Sequence, residues 1–163
     1  VESILTHTER PIILPFSNPT SLSEAAPADL LKWSNGKALV ATGSPYDPVE
    51  LNGETYVIGQ GNNVFIFPGL GLGALVAESR QVTDGMVNAA ASALAKAVTD
   101  EELATGSLYP SVTRLREVCR QVGIAVALRA VEEGVAAMKT EMELQIALDE
   151  MIWDPVYPEY IPV

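Results

Sequence analysis

In the segment Gly59-Gln60-Gly61-Asn62-Asn63, two adjacent carboxamides follow a glycine turn, and the apolar run Val64-Phe65-Ile66-Phe67 leads on to Pro68-Gly69. A carboxamide both donates and accepts hydrogen bonds without carrying charge, which suits it to holding a carboxylate, a hydroxyl or another carboxamide at a fixed angle. The same residues also make turns between strands, their commoner use, and this segment alone leaves both readings open. Other reactive groups are sparse. His7 is the only histidine, so no Ser/His/Asp set can be assembled. Cys119 lies inside a helical pattern and reads as a small apolar core residue before a nucleophile. Asp100, Glu101, Glu102, Glu132 and Glu133 fall on predicted helix surfaces, where solvated faces explain them better than a site for a hard cation. The chain thus offers groups that hold a ligand, with no recognisable acid, base or metal set.

The elements that must position these groups alternate at first. Pro11–Phe16 is a short apolar run stopped by Asn18-Pro19, as for a buried parallel strand meeting a loop. Ser21 and Glu24 have the spacing of a capping box, and Pro27 suits the first turn of a short helix ending near Asn35-Gly36. Ala38–Thr42 is the next buried strand, ended by Gly43-Ser44-Pro45. Asn52-Gly53 reads as a hairpin tip before a strand over 55–58. This alternation predicts an α/β fold: a partial, mainly parallel Rossmann-like sheet with flanking helices and a helical C-terminal half.

From Pro68 the pattern is helical. Leu70–Ser79 is apolar, Thr83 caps a helix to about Val98, and Thr99 with Glu102 forms a capping box for a short helix closed by Gly106. Tyr109-Pro110-Ser111 introduces the strongest helix, with a stripe of Leu115, Val118, Cys119, Val122 and Val126 and a stop at Gly134. Thr140 and Glu143 cap a last helix, and Asp154–Val163 has the proline density of an extended arm. The spacing Gly69-x-Gly71-x-x-Ala74 formally matches a dinucleotide fingerprint, but no acidic residue lies about 20 positions on, as that motif requires. Glycines that let a buried helix pack closely explain it at least as well.

A chain of 163 residues suits one domain with a real core. Its 10 basic against 21 acidic residues give a net charge of −11, which disfavours nucleic acid and anionic membranes without excluding an anionic substrate. A lone cysteine allows no internal disulfide and points to a reducing, cytoplasmic home. No stretch approaches the roughly 20 apolar residues of a membrane span, and no secretory signal opens the chain. The chain opens on Val1 and reaches a strand pattern by Pro11, which reads as a start inside a domain.

Three phrases, in this order and spacing, carry a resemblance. They are Arg10–Thr20 with its Ser-Asn-Pro-Thr, Ala38–Pro45 followed by Pro48-Val49, and Gly59–Asn63 running to Phe65–Gly69. Together they resemble the later part of the nucleotide-binding domain of malic enzymes and the related malolactic enzymes, and the likeness continues through Thr83-Asp84 and Leu108-Tyr109-Pro110 over nearly the whole chain. The resemblance implies an oxidative decarboxylase that converts L-malate to pyruvate and CO2 with reduction of NAD or NADP, aided by a divalent metal (Mn or Mg). It implies substrate contacts from Asn18, Asn62 and Asn63, and a cofactor cleft shaped by Asn18, Asn62, Gly43 and Ser44. The family's tyrosine and lysine acid–base pair, malate-gripping arginine, acidic metal ligands and glycine fingerprint are all expected upstream. Residues 1–163 then read as a C-terminal fragment of an NAD(P)-binding domain, inactive alone: strand/helix alternation over 1–69, helices over 70–153, a tail over 154–163. A homo-oligomer is expected. The alternatives are a malolactic enzyme, yielding L-lactate with NAD and Mn, and a non-catalytic assembly fragment.

Overall fold

Three short parallel strands in the order β1-β2-β5 form the sheet: β1 (Ile12–Ile13), β2 (Leu39–Thr42) and β5 (Gly59–Gln60). The computed structural model describes residues 1–153, 156–157 and 160, so the arm expected over 154–163 lies largely outside the described residues. β1 is shorter than its apolar run because Pro11 and Pro15 have no N–H to give to a ladder. Their carbonyls still accept, from Leu39 at 2.8 Å and Gly43 at 3.2 Å. Between β2 and β5 stands a separate antiparallel hairpin, β3 (Val49–Leu51) and β4 (Glu54–Tyr56). Its tip, Asn52-Gly53, takes φ of 54° and 83°, the left-handed pair that a tight hairpin turn demands.

A four-residue helix, α1 (Glu2–Leu5), precedes the sheet. Helix α2 (Pro27–Trp33) starts on its proline and ends through Asn35 and Gly36, both at positive φ. The capping box expected at Ser21 is absent. Residues 20–22 form a 3₁₀ turn, and Glu24 turns instead to Ser17, accepting from its hydroxyl at 2.6 Å and its amide at 3.3 Å. Leu30 and Leu31 of α2 pack with Ala38 and Val40 in a small core on the sheet.

The larger core is helical and holds Phe65, Met86, Val118, Val122, Val126, Leu144 and Leu148, each with no exposed surface. It is built by α3 (Phe67–Val76), α4 (Asp84–Lys96), α6 (Leu115–Glu132) and α7 (Glu141–Met151), with the short α5 (Asp100–Ala104) between α4 and α6. Thr83 caps α4, and Thr99 and Thr140 form full capping boxes with Glu102 and Glu143. The expected Gly106 and Gly134 stops both take positive φ. Gly69, Gly71 and Gly73 lie inside α3, not at a strand-to-helix turn. A Cβ at Gly69 would meet Val122 at 2.7 Å, and one at Gly73 would land on the Gly123 carbonyl oxygen. Gly69 and Gly73 therefore serve helix packing. Among the described residues, no helix is long and apolar enough to cross a membrane.

Candidate functional site

Because the three strands run parallel, the loops that leave them emerge at one end of the sheet, where ligands gather in open α/β folds. The first loop carries Phe16 and Asn18, the second Gly43 and Ser44, and the third Gly61, Asn62 and Asn63. They are bonded to one another. Gly43 N–H donates to the Pro15 carbonyl at 3.2 Å, and Gly61 N–H donates to the Thr42 carbonyl at 2.8 Å. The Gly43 carbonyl accepts twice, from Asn18 Nδ2 at 3.3 Å and from Gln60 Nε2 at 3.1 Å. Glycine is needed at 43 because a Cβ would collide with the Phe16 carbonyl.

Asn18 precedes Pro19 across a cis peptide bond, and its side chain is oriented by its partners. Nδ2 serves Gly43, while Oδ1 accepts from the buried Ser44 hydroxyl. Ser44 is held in turn, its carbonyl accepting from Thr42 Oγ1 at 2.8 Å. The loop is tethered from behind by the Ser17–Glu24 pair, whose hydroxyl hydrogen bond holds the Glu24 carboxyl below its usual range. Asn18 itself is exposed, so its remaining donor and acceptor positions face outward.

Asn62 caps the 3₁₀ turn Asn63–Phe65, its Oδ1 accepting from Val64 N–H at 3.0 Å. That bond fixes the flip of the amide and leaves Nδ2 as a donor. Among the described residues, the Asn63 carboxamide has no protein hydrogen bond. Both asparagines line a cleft of about 450 Å³ whose apolar walls include Phe16, Ile66, Leu94 and Tyr109. The Phe16 and Tyr109 rings meet edge to face with centroids 6.3 Å apart. The geometry therefore joins Asn62 and Asn63 in one cavity, and gathers Asn18, Gly43 and Ser44 in a hydrogen-bonded cluster beside it. Phe16 and the Gly43 carbonyl link the two groups. Gln60, Phe16 and Tyr109 are additions that sequence reasoning did not single out. Only the Leu108-Tyr109-Pro110 phrase hinted at the last.

The chemistry of this set is that of recognition. Uncharged donors and acceptors beside two aromatic rings fit the carboxamide and ring of a nicotinamide or the carboxylate and hydroxyl of a small acid. Among the described residues, no three His, Cys, Asp or Glu side chains come together to hold a metal ion, so these residues do not fit one by themselves. Cys119 sits behind the site with Sγ 3.7 Å from the Val64 carbonyl, and burial pushes its thiol up, away from nucleophilic use.

Comparison with known proteins agrees with this fold. The family model for the malic enzyme NAD binding domain matches residues 1–131. The chain is 45% identical over 160 residues to an NAD-dependent malic enzyme of Aliivibrio fischeri (strain MJ11), covering 98% of this chain and 28% of that protein. It is 49% identical over 157 residues to NAD-dependent malic enzyme 3 of Bacillus subtilis (strain 168), covering 96% and 27%. It thus spans just over a quarter of the length of these relatives. Among solved structures, the malic enzyme of Entamoeba histolytica superposes with a TM-score of 0.66 at 26% identity over 86% of this chain and 26% of that one. The malic enzyme of Pyrococcus horikoshii Ot3 gives 0.61 at 30% identity, over 85% and 28%. The match over residues 1–131 places the chain plainly: it belongs to the malic enzyme NAD binding domain family.

Proposed function

We propose that this segment forms one wall of the malate and nicotinamide cleft in an NAD-dependent oxidative decarboxylase that converts L-malate to pyruvate and CO2. The observation that carries the reading is the carboxamide pair at the sheet's carboxyl end, with the Asn63 amide unengaged by any described residue and lining an aromatic-walled cavity. Asn62 presents Nδ2 as a donor, which suits a carboxylate or carbonyl oxygen; Asn63 can give and take, which suits a hydroxyl or the nicotinamide carboxamide. Asn18, held by Gly43 and Ser44, contributes from the neighbouring loop. Asn62, Asn63, Phe16 and Tyr109 would hold the nicotinamide, which would supply a hydride acceptor for malate C2. This segment's part is orientation: neutral groups fix the ligand's angle, and Phe16 and Tyr109 keep water from one side of it. NADP in place of NAD fits the same contacts.

The acid–base groups and the ligands for a divalent metal lie, in this reading, outside residues 1–163, in a larger cytoplasmic and homo-oligomeric enzyme. Titrating the 163-residue chain with NAD while following the Asn62 and Asn63 side-chain amides by NMR tests the cleft. Shifts confined to these amides, Phe16 and Tyr109 are expected, and a response elsewhere or nowhere counts against it. The isolated chain is expected to form no NADH from malate and Mn²⁺, and robust formation would overturn the division of labour. In the larger enzyme, pyruvate with NADH separates this reaction from a malolactic one, which gives lactate with no net NADH.

A further inference from the structure

Tyr109 lies midway along residues 107–111, and one residue grips both ends of that segment. Ser107 N–H donates to the Glu102 backbone carbonyl at 3.0 Å. Ser111 N–H donates to the Glu102 side chain, to Oε1 at 2.8 Å. Within the segment, the buried Ser107 hydroxyl donates to the Tyr109 carbonyl at 2.8 Å. The outer side is closed by Gly59 of β5, where a Cβ would stand 3.0 Å from Tyr109 N and 3.1 Å from Leu108 N. The Tyr109 ring is thereby delivered against Phe16 at the cleft wall.

Glu102 is itself held. Its Oε2 accepts from Thr99 N–H at 2.9 Å and from Arg114 Nη1 at 2.9 Å. Arg114 also donates to the Ala97 carbonyl at 2.9 Å and forks onto Glu117 through Nε and Nη2 at 3.1 and 2.9 Å. A capping box needs only the Thr99 contacts. The Ser107 bond is the backbone closure of α5 through Gly106. The side-chain bonds to Ser111 and Arg114 exceed both needs, the first holding the stretch that carries the ring and the second bracing the carboxylate that does so.

We propose that Glu102, braced by Arg114, is a positioning residue that fixes the Tyr109 wall of the ligand cleft. The proposal rests on the functional reading of that cleft for its consequence in ligand binding, while the mechanical part stands on the hydrogen bonds alone. Substituting Glu102→Ala frees Ser111 N–H and leaves Arg114 without its partner on α5. Thr99→Ala removes the hydroxyl cap of the same helix but leaves the Glu102 contacts to Ser107, Ser111 and Arg114 in place, which makes it the control for a merely structural effect.

The test is amide hydrogen exchange by NMR on the 163-residue chain, read at Leu108, Tyr109 and Ser111, with each rate corrected for the change in global unfolding, alongside the NAD titration. Glu102→Ala is expected to speed exchange across this segment by roughly tenfold or more, the size of one lost charge-assisted hydrogen bond. It should weaken NAD binding in step. Thr99→Ala should lower global stability and leave the corrected rates and the affinity within about twofold, a change well under 1 kcal/mol. Glu102→Gln, which retains an acceptor for Ser111, should recover most of the protection. Equal exchange in Glu102→Ala and Thr99→Ala would reduce Glu102 to a helix cap and overturn the proposal. So would altered exchange with unaltered affinity. If the unsubstituted chain does not respond to NAD, the cofactor reading fails by itself, and the exchange comparison still decides whether Glu102 fixes the segment.

Discussion

Two alanine substitutions on a single helix are expected to shift stability in opposite directions. At Gly71 of α3, an added Cβ meets nothing within 4 Å. At Gly73, two residues on, it lands on the Gly123 carbonyl oxygen and lies 2.8 Å from Val126 Cβ. Both positions gain about 1 kcal/mol of helix propensity when glycine becomes alanine. Only the second must also push α3 and α6 apart, by about 1 Å to restore an ordinary carbon–carbon separation. The atom that must yield is backbone on a packed helix, so relief by a rotamer change is closed, and the overpacking cost belongs at the upper end of its usual range, about 3 kcal/mol. The net expectation is destabilisation by about 2 kcal/mol for Gly73→Ala and stabilisation by up to about 1 kcal/mol for Gly71→Ala. For a domain of this size these correspond to a fall of about 4–8 °C and a rise of about 2–4 °C in Tm. Urea and thermal unfolding followed by circular dichroism read both, with unchanged urea slopes confirming a comparable denatured state. Shifts of the same sign at the two positions would refute the claim that close approach of α3 to α6 is what holds glycine at 73.

Asn63→Asp should leave stability unchanged, because the side chain is exposed and unbonded among the described residues, yet weaken NAD or malate affinity by about tenfold or more through loss of a donor and gain of charge; isothermal titration with the parent chain as reference measures it. Gly61→Ala would bring a Cβ to 2.6 Å from Phe16 Cζ, and since that ring is 40% exposed it can swing outward, so the expected stability cost is about 1 kcal/mol or less. The signature of that swing is loss of the Phe16–Tyr109 contact in aromatic NMR shifts together with altered ligand affinity. For pH, burial pushes Glu102 up, but the amides of Thr99 and Ser111 and the Arg114 guanidinium outweigh it and leave the carboxyl below its ordinary value. Arg114 likewise lowers Glu117, and hydrogen bonding to Arg120 lowers Asp149. Groups depressed in the folded state stabilise fully above their unfolded pKa, about 4.3 for Glu and 3.9 for Asp, and lose that contribution as pH falls through the folded values. Unfolding free energy should therefore be steady from pH 7 to about 5 and decline below about 4.3, with a shallower decline in Glu102→Gln.

Local signals are legible in the chain itself. Thr83, Thr99 and Thr140 cap their helices because a cap is decided by residues three positions apart, and Asn52-Gly53 makes its hairpin because the turn fixes its own φ values. Ser21 with Glu24 has the same local spacing and fails, since Glu24 finds a better partner in Ser17, seven residues back. The adjacency of Asn62 and Asn63 was plain, but not their difference: one carboxamide is spent half on a turn and the other is open, which depends on where Val64 N–H points. Gln60 and Tyr109 became visible only when parallel pairing set β5 beside β2 and the 107–111 segment over Gly59. Glu102 was legible as a cap, while its reach to Ser111 crosses nine residues and no pattern in the chain announces it.

The twice-used carbonyl of Gly43 gives the sheet's open end a mechanical character. A carbonyl has two lone pairs, and here both are occupied, one by a side chain from the loop after β1 and one by a side chain from β5. Pulling on Asn18 therefore loads the same oxygen that restrains Gln60, two residues short of the carboxamide pair. The loops that carry Asn18 and Gln60 are thus pinned to one peptide unit, and the pin is a residue with no side chain.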